Sequence, residues 1–458
     1  MATGEMDLPY QIEVIREIEH FKGRVLLTLD MGLGKTFCAL RYLQRNPHCY
    51  PALVICPSVV KYNWAAEALR FTGVHARVCE GQKPPEQRAY YGVNLPSKLT
   101  IINFDILPYW LEHLQTLGIK TIIVDECQKF QNSKTKWTKA GKILVQGVPQ
   151  LLALSGTPML NRPYELYPML NMLWPHHYKS SWTFSQQYCN PKWKRWGWDH
   201  SGAANLDQLN AELLSLGMVR RRKRDVLKDL PEKVWRTVPM ALSNEAEYRE
   251  ASTNFLGWLK RTATHKVHAA SKAEQLTRIT YLLQLIAKLK LRSVCDWAIE
   301  FLEQSDEKLI LFCVHVEAAR VLRKRIPFVS VGIDISMTAK QRHLVVEQFQ
   351  TDPKVRLFVG TAASGVGINL TAASEVGIVE LPWRPGDLSQ WVDRSHRIGQ
   401  KETVFCNYLI SLNTLEEKIV RILHAKQENI SAVLDGGDTS DQVDMFNDLI
   451  RVLEGELF

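Results

Sequence analysis

Short apolar runs rich in β-branched residues recur along the chain, and each is followed by a turn signal or a helical pattern. They form two series, at 24–29, 52–56, 100–103, 121–124 and 150–154, and at 308–313, 329–333, 356–359, 375–380 and 403–409. Continuously apolar strands that alternate with helices are typical of parallel sheets covered on both faces. The sequence therefore predicts an α/β fold of two parallel-sheet lobes, with a mostly helical, basic stretch at about 159–305 between them.

The composition is that of a globular protein long enough for about two to four domains. The chain has 458 residues and a net charge of +9, which suits a polyanionic partner. Its nine cysteines form no CxxC pair, which indicates free thiols in a reducing compartment rather than disulfides or a zinc site. Without a signal peptide or a membrane-length apolar run, we expect an intracellular protein, cytoplasmic in a prokaryote or virus-infected host and nuclear in a eukaryote.

A glycine-containing loop, with the letters DMGLGKT, follows the first predicted strand. Gly32 and Gly34 let backbone N–H groups close around phosphate oxygens at the start of a helix. Lys35 would reach the β- and γ-phosphates of ATP, and the Thr36 hydroxyl would hold Mg²⁺. Leu29 stands where the strict P-loop pattern has its first glycine, so the loop alone also fits a degenerate nucleotide site.

Two further features fit the same chemistry. An apolar strand ends in two acids, of which Asp125 would bind Mg²⁺ and Glu126 would orient or deprotonate the attacking water. Far along the chain, Arg394 and Arg397 stand three residues apart, on one face of a predicted helix. Supplied by the second lobe, they would neutralise charge on the γ-phosphate, so hydrolysis would require both lobes. Solvated acids and a solvated arginine pair are the alternatives.

Ten segments of the chain, taken in their sequence order, resemble the motifs of the Swi/Snf-type ATPases of helicase superfamily two. The resemblance covers nearly the whole chain. The matching segments are 9–11, 30–36, 53–58 followed by Trp64, 125–128, 154–158, 218–226, 230–233, 360–371, 383–385 and 393–400. The resemblance implies two RecA-like lobes with helical insertions. We expect lobe 1 at 1–235, lobe 2 at 236–434 and a tail helix at 435–458.

The resemblance also implies roles for individual residues in binding and hydrolysing ATP with Mg²⁺. Nucleotide-binding residues would be Gln11, Met31, Gly32, Leu33, Gly34, Lys35, Thr36 and Gly367. Catalytic residues would be Lys35, Asp125, Glu126, Gln390, Arg394 and Arg397, and the Mg²⁺ ligands would be Thr36 and Asp125. Gln128 replaces a histidine that often couples the two lobes, although glutamine still donates and accepts hydrogen bonds.

For DNA, the resemblance implies contacts across both lobes that go mainly to phosphates. The candidates are Ser58, Lys61, Asn103, His315, Thr361 and Ser364. Each also fits a capping or turn role. A basic helical stretch contains Lys260, Arg261, Lys266, Lys272 and Arg278. It is either a second surface that contacts DNA or a solvated helix face.

A Trp-Gly-Trp run resembles the insertion of the HARP-type annealing-helicase branch. Trp196 and Trp198 are interpreted as packing anchors of lobe 1. The alternative is that these aromatics, interleaved with Lys192, Lys194 and Arg195, touch nucleic acid. Because the motor motifs begin almost at residue 1, we expect no upstream HARP-type domain. In the tail, one helical face would dock on the body through Val443, Phe446, Ile450 and Leu453.

The sequence therefore predicts a monomeric, DNA-stimulated ATPase that translocates on duplex, forked or branched DNA and contacts no membrane. Fork remodelling, strand annealing, stripping proteins from DNA and defence against foreign DNA are its candidate tasks. The alternatives are an ATP-gated DNA-binding clamp with little turnover, and an RNA helicase.

Overall fold

The computed structural model describes residues 7–82, 84, 97–160, 162–194, 197–254, 274–333, 337–361 and 368–435. The chain forms two compact units: unit 1 is Met1–Asp229 with Glu428–Gln442, and unit 2 is Leu230–Gln427 with Val443–Phe458. All nine cysteines are free and buried, as predicted. Within the described ranges, no helix has the length and apolar character needed to span a membrane.

Unit 1 contains a seven-stranded parallel sheet with the strand order β3-β4-β2-β5-β6-β1-β9. Its strands are β1 (Arg24–Leu29), β2 (Ala52–Cys56), β3 (Ala76–Val78), β4 (Leu99–Asn103), β5 (Thr121–Asp125), β6 (Gln150–Leu154) and β9 (Met218–Arg221). A separate antiparallel hairpin consists of β7 (Lys192–Lys194) and β8 (Gly197–Asp199). The central strands are buried on both faces, which explains their unbroken apolar letters.

Helices cover both faces of this sheet. Those described in unit 1 are Pro9–His20, Lys35–Arg45, Lys61–Thr72, Leu107–Gln115, Lys136–Leu144, Tyr167–Leu173, Ser181–Tyr188, Leu206–Leu216 and Lys223–Val226. Short 3₁₀ turns lie at Pro47–Cys49, Ser58–Val60, Cys127–Phe130 and Pro163–Leu166. The apolar core of unit 1 includes Val433 and Leu434, from the end of the helix Leu415–Asp435.

Unit 2 contains a six-stranded parallel sheet with the order β10-β15-β14-β11-β13-β12. Its strands are β10 (Lys233–Pro239), β11 (Leu309–Phe312), β12 (Ser330–Ile333), β13 (Leu357–Gly360), β14 (Glu375–Ile378) and β15 (Val404–Ile410). Its described helices are Glu245–Thr253, Glu274–Gln304, Val316–Arg325, Ala339–Thr351 and Pro385–Val392, with the first part of Leu415–Asp435. The predicted α/β fold with two parallel-sheet lobes is confirmed.

The outer strands β9 and β10 were not expected, because the stretch that contains them was predicted to be mostly helical. Their letters, MVRR and KVWRTVP, mix charged and apolar residues. Both strands lie at the edge of a sheet, where one side of the strand is open to solvent and charged side chains are tolerated. The boundary expected between lobe 1 and lobe 2, at residue 235, falls within strand β10.

Several sequence predictions fall outside the described residues. They concern the tail helix with Val443, Phe446, Ile450 and Leu453, the basic positions Lys260, Arg261, Lys266 and Lys272, the insertion residues Arg195 and Trp196, and the motif residues Ser364 and Gly367.

Candidate active site

The loop after β1 has the geometry of a phosphate-binding loop. Gly32 and Gly34 have φ values of 89° and 79°, which L side chains rarely adopt. The helix Lys35–Arg45 begins directly after Gly34, so its first backbone N–H groups lie beside the loop. A Cβ atom at Gly34 would lie 2.8 Å from Nε2 of Gln11. Gln11, which the resemblance assigns to nucleotide binding, is therefore in contact with the loop.

Tyr10, the residue before Gln11, also contacts the glycine loop. Its hydroxyl donates to the carbonyl oxygen of Leu33 at 3.1 Å, and Nε2 of Gln11 lies 3.4 Å from the same hydroxyl. Oε1 of Gln11 accepts from the backbone N–H of Leu8 at 3.0 Å. The helix Pro9–His20 thus carries Gln11 on a buried face against the glycine loop.

Lys35 is partly buried at the carboxyl edge of the sheet. Its Nζ donates to the carbonyl oxygens of Leu29 and Asp30, at 2.9 and 3.4 Å. Burial lowers the pKa of this ammonium, while the nearby charges of Glu126 and Asp125 oppose that shift. The cation therefore lies within the field of the two predicted catalytic acids.

Asp125 ends β5 and is held from two sides. The indole Nε1 of the buried Trp64 donates to Oδ2 at 2.9 Å, and the backbone N–H of Glu126 donates to Oδ1 at 3.0 Å. Burial and the adjacent Glu126 raise the pKa of the Asp125 carboxyl, whereas the Trp64 hydrogen bond lowers it. Sequence reasoning placed Trp64 only by its family position; its bond to Asp125 joins residues 61 positions apart.

Glu126 adopts the left-handed conformation, with φ at 53°, which is uncommon for a residue other than glycine. Gln128 fixes its side chain: Nε2 of Gln128 donates to Oε2 of Glu126 at 2.5 Å. The Ser155 hydroxyl in turn donates to Oε1 of Gln128 at 2.7 Å and accepts from the N–H of Thr157 at 3.0 Å. A chain of hydrogen bonds therefore joins the acid after β5 to the loop after β6.

These residues suit a nucleotide with Mg²⁺. Gly34 leaves no room for a Cβ atom beside Gln11, and the helix N-terminus behind it offers N–H groups to an anion. Hydroxyl and carboxylate oxygens, such as those of Thr36 and Asp125, are the donor types that Mg²⁺ prefers. Among the described residues there is no cluster of three or more His, Cys, Asp or Glu that would hold a metal without a substrate.

The predicted DNA contacts of unit 1 lie in three different environments. Ser58 is exposed at the start of the 3₁₀ turn Ser58–Val60, just after β2. Asn103 ends the adjacent strand β4 and is buried, with Nδ2 donating to Asp105 at 3.1 Å. Lys61 is also buried, and its ammonium donates to the carbonyl oxygen of Cys79 at 2.7 Å. The Lys61 charge is therefore engaged inside unit 1 rather than offered at its surface.

In unit 2, His315 and Thr361 follow the adjacent strands β11 and β13, at the same edge of the sheet. Nδ1 of His315 lies 2.6 Å from Oε1 of Glu380, and Oε2 of that carboxylate accepts from the N–H groups of Val314 and His315. This contact raises the pKa of the His315 imidazole. Thr361 is buried.

The arginines of the last motif do not lie on a helix, so that part of the prediction is wrong. The helix Pro385–Val392 carries Gln390 and ends before Arg394 and Arg397, which lie in successive turns. Side chains hold this segment on the loop at 370–374. The Ser395 hydroxyl donates to the Ala373 carbonyl, which also accepts from Nε2 of Gln400 at 3.0 Å.

Both arginines are nevertheless fixed by the fold of unit 2. Arg394 is buried, and its carbonyl oxygen accepts from the N–H of Leu370 at 2.9 Å. Nη1 of Arg397 donates to the carbonyl of Ile368 at 3.2 Å. The turns therefore hold the Arg394 backbone and the Arg397 guanidinium next to residues 368–370.

Comparison with known proteins identifies the family. The model of the SNF2-related domain matches residues 10–296, and that of the helicase conserved C-terminal domain matches residues 289–399. The "DNA annealing helicase and endonuclease ZRANB3" of Homo sapiens is 30% identical over 448 residues, which are 94% of this chain and 40% of that protein.

Two further likenesses cover similar ranges. The "SWI/SNF-related matrix-associated actin-dependent regulator of chromatin subfamily A-like protein 1" of Xenopus laevis is 30% identical over 92% of this chain and 43% of its own length. The solved "Sulfolobus solfataricus SWI2/SNF2 ATPase core in complex with dsDNA" is 26% identical, with 96% of each chain covered and a TM-score of 0.43. The chain spans less than half the length of these two curated relatives. With more than half of its residues matched by the SNF2-related domain, the chain belongs to the SNF2-related family of helicase-like proteins.

Proposed function

We propose that this protein is a Mg²⁺-dependent ATPase that is stimulated by DNA and translocates along duplex, forked or branched DNA. The observation that carries the proposal is the partly buried charged group at one edge of the unit 1 sheet. Lys35, Asp125 and Glu126 interact there electrostatically, next to a glycine loop that contacts Gln11. Family membership and the name of one relative, a DNA annealing helicase, support DNA as the polymer.

Each residue has a definite task in hydrolysis. The loop N–H groups and Lys35 bind the phosphates, and Gln11 contacts the adenine. Thr36 and Asp125 hold Mg²⁺, which neutralises phosphate charge when bound. Glu126, oriented by Gln128, positions the attacking water and accepts its proton. Met31 and Leu33 complete the loop.

Unit 2 supplies the groups that make hydrolysis conditional. Arg394 and Arg397 neutralise the charge that develops on the γ-phosphate, and the resemblance assigns Gln390 to catalysis and Gly367 to nucleotide binding. Ser58, which is exposed, and His315, whose imidazole is half-exposed, contact phosphates of the DNA backbone. Contacts of this kind bind without sequence preference and weaken as salt is added.

ATP turnover by the purified protein tests this proposal. It is measured with no nucleic acid, a single-stranded oligonucleotide, a blunt duplex, a fork and structured RNA. Strong stimulation by duplex or fork is the expected result. Stimulation by RNA alone would make the protein an RNA helicase. ATP binding without turnover on any polymer would make it a clamp.

A translocation assay separates movement from simple turnover. A third strand annealed to a duplex should be displaced in an ATP-dependent manner by a translocase. The variant Glu126→Gln serves as the matched control, because it keeps the fold and the phosphate-binding groups. Equal displacement by both proteins would contradict the proposal.

A further inference from the structure

Three tryptophans on the surface of unit 1 form one continuous aromatic patch, here called the tryptophan surface. Trp193 is 69% exposed, Trp198 47% and Trp182 37%. The ring centroids of Trp193 and Trp198 are 5.3 Å apart, and those of Trp182 and Trp198 are 4.7 Å apart. Exposed aromatic surface of this extent on a folded protein indicates an interaction site.

The patch is not a packing anchor of the core, which corrects the interpretation of Trp198. The anchors of this insertion are other residues: Phe184 and Tyr188 are buried on the helix Ser181–Tyr188, and the Tyr188 hydroxyl donates to Glu212 at 2.8 Å. Trp198 packs instead on two rings that are themselves exposed. Other residues therefore anchor the insertion to unit 1, and the three indoles remain exposed.

The backbone holds the indoles in place. Trp193 and Trp198 stand opposite each other in the β7–β8 hairpin, so both side chains share one face. An ion pair between Lys194 on β7 and Asp199 on β8 stabilises the hairpin. His200, directly after β8, stacks on Tyr164 with a centroid distance of 4.6 Å and an angle of 10°. A platform fixed in this way loses little conformational entropy when a ligand stacks on it.

The surroundings are basic rather than acidic. Lys192 is exposed beside Trp193, and Lys179 is exposed just before the helix that carries Trp182. The one acid of the hairpin, Asp199, is paired with Lys194. Exposed indoles beside lysines match a polyanion whose units have flat faces, which is the chemistry of unpaired nucleotides. The bases of a duplex present no free faces except at its ends.

We propose that the tryptophan surface binds unpaired nucleotides of the DNA substrate by stacking, so that the protein prefers DNA with a single-stranded segment over a plain duplex. This inference rests on the proposed function for the identity of the polymer. It adds the structural class of the substrate and the residues that select it.

The test compares the wild-type protein with the double variant Trp193→Ala/Trp198→Ala. Affinities are measured by fluorescence anisotropy for an oligothymidine, a fork with two unpaired arms and a blunt duplex. Since stacking contributes about 1–3 kcal/mol per base, the variant should bind the oligothymidine and the fork at least about tenfold more weakly. Its affinity for the blunt duplex and its duplex-stimulated ATP turnover should stay unchanged.

Two matched variants sharpen the result. Trp193→Phe/Trp198→Phe keeps flat rings on the hairpin and should recover most of the oligothymidine affinity. Tyr109→Ala removes an exposed aromatic side chain from a different helix and should change nothing. Unchanged unfolding midpoints for all variants would confirm that the fold is intact.

The failures are distinguishable. If the double variant binds all three DNAs as the wild type does, the inference is overturned, and a protein partner becomes the occupant to seek. If it loses affinity equally for all three, the patch is a general DNA contact, and the preference for unpaired nucleotides is overturned. If no DNA stimulates the wild type, the proposed function fails, while the oligothymidine affinities still decide the inference.

Discussion

Nε2 of Gln128 lies 2.5 Å from Oε2 of Glu126, and the other end of the same amide accepts a hydrogen bond from Ser155 at 2.7 Å. Glutamine therefore does at this position what a purely accepting or purely donating side chain would not. It orients the carboxylate of Glu126 and ties it to the loop after β6. Glu126 itself has an uncommon left-handed backbone conformation.

Replacing Gln128 by alanine should lower kcat for ATP by about 10- to 100-fold, because the carboxylate that positions the attacking water is no longer held. The KM for ATP should change little, since no phosphate-binding group is lost. Gln128→His retains a donor and should keep more activity than Gln128→Ala. Steady-state ATP hydrolysis on saturating DNA checks both variants. Equal turnover by Gln128→Ala and wild type would show that Glu126 is oriented by other means.

Lys35 and Glu126 should be separable by their effects on binding and turnover. Lys35→Ala removes the cation beside the glycine loop and should abolish both tight ATP binding and hydrolysis. Glu126→Gln should keep ATP affinity while hydrolysis falls by about 10²–10⁴, the usual contribution of a general base. Binding of a fluorescent ATP analogue and phosphate release measure the two effects. Lys139→Ala, which removes an exposed lysine of unit 1, is the control. Undiminished turnover in either active-site variant would overturn the assignment.

Trp64→Phe tests the hydrogen bond that Asp125 receives from the indole. Loss of the donor leaves the carboxylate less well oriented, and removes the contact that lowers its pKa. Groups that orient metal ligands typically contribute 10- to 100-fold to metal affinity, so the Mg²⁺ concentration for half-maximal ATPase should rise about tenfold. Saturating Mg²⁺ should restore most of the turnover. A variant that is inactive at every Mg²⁺ concentration, although folded, would assign Trp64 another role.

The central strands could be predicted from the sequence because strands that are buried on both faces consist almost entirely of apolar residues. β2 (Ala52–Cys56) and β6 (Gln150–Leu154) have the bounds expected from these letters. The edge strands β9 and β10 mix arginine and lysine with apolar residues and lose that signal. The hairpin strands are too short, at three residues each, for any periodicity to appear.

The candidate active site likewise has residues that the sequence predicts and partners that it does not. Local patterns identified Lys35, Asp125 and Glu126, because the spacing of phosphate-binding and acidic residues is set within one loop or strand end. The partners of these residues come from distant parts of the chain. Trp64 reaches Asp125 through the fold of the sheet, which no local pattern encodes. Whether a lysine such as Lys61 points to solvent or into the core is likewise decided by tertiary packing.

The pair of His315 and Glu380 should make unit 2 pH-sensitive. Glu380 raises the pKa of His315 above its ordinary value of about 6.5. A raised folded-state pKa adds stability that is fully present below about pH 6.5 and is lost as the pH rises through the folded pKa. The effect is modest, below about 1 kcal/mol, because the imidazole is half-exposed.

Imidazole NMR and urea unfolding between pH 5 and 8 measure this effect. Glu380→Gln should lower the pKa of His315 and flatten the dependence of the unfolding midpoint on pH. Glu317→Gln, which alters an exposed acid on the adjacent helix, should leave both unchanged. A His315 pKa that does not respond to Glu380→Gln would contradict the assigned cause.

Arg220 joins the start of the phosphate loop to the end of the helix Leu415–Asp435. Its Nη1 lies 2.8 Å from Oδ1 of Asp30, and its Nε lies 2.8 Å from Oδ1 of Asp435. Nη1 also donates to the carbonyl of Thr28 at 2.7 Å. All three charged side chains are mostly buried, so removing the guanidinium leaves two carboxylates poorly compensated.

Arg220→Met should therefore lower the free energy of unfolding of unit 1 by about 2–4 kcal/mol and raise the KM for ATP, because Asp30 leads directly into the loop that binds the phosphates. Asp435→Asn removes only one ion pair and should cost about 1 kcal/mol. Urea unfolding followed by tryptophan fluorescence, together with ATP titrations at low temperature, separates stability from binding. A raised KM in Arg220→Met but not in Asp435→Asn would assign the effect on ATP to Asp30. An unchanged KM in both variants, with only stability reduced, would show that Arg220 holds the helix end without shaping the loop.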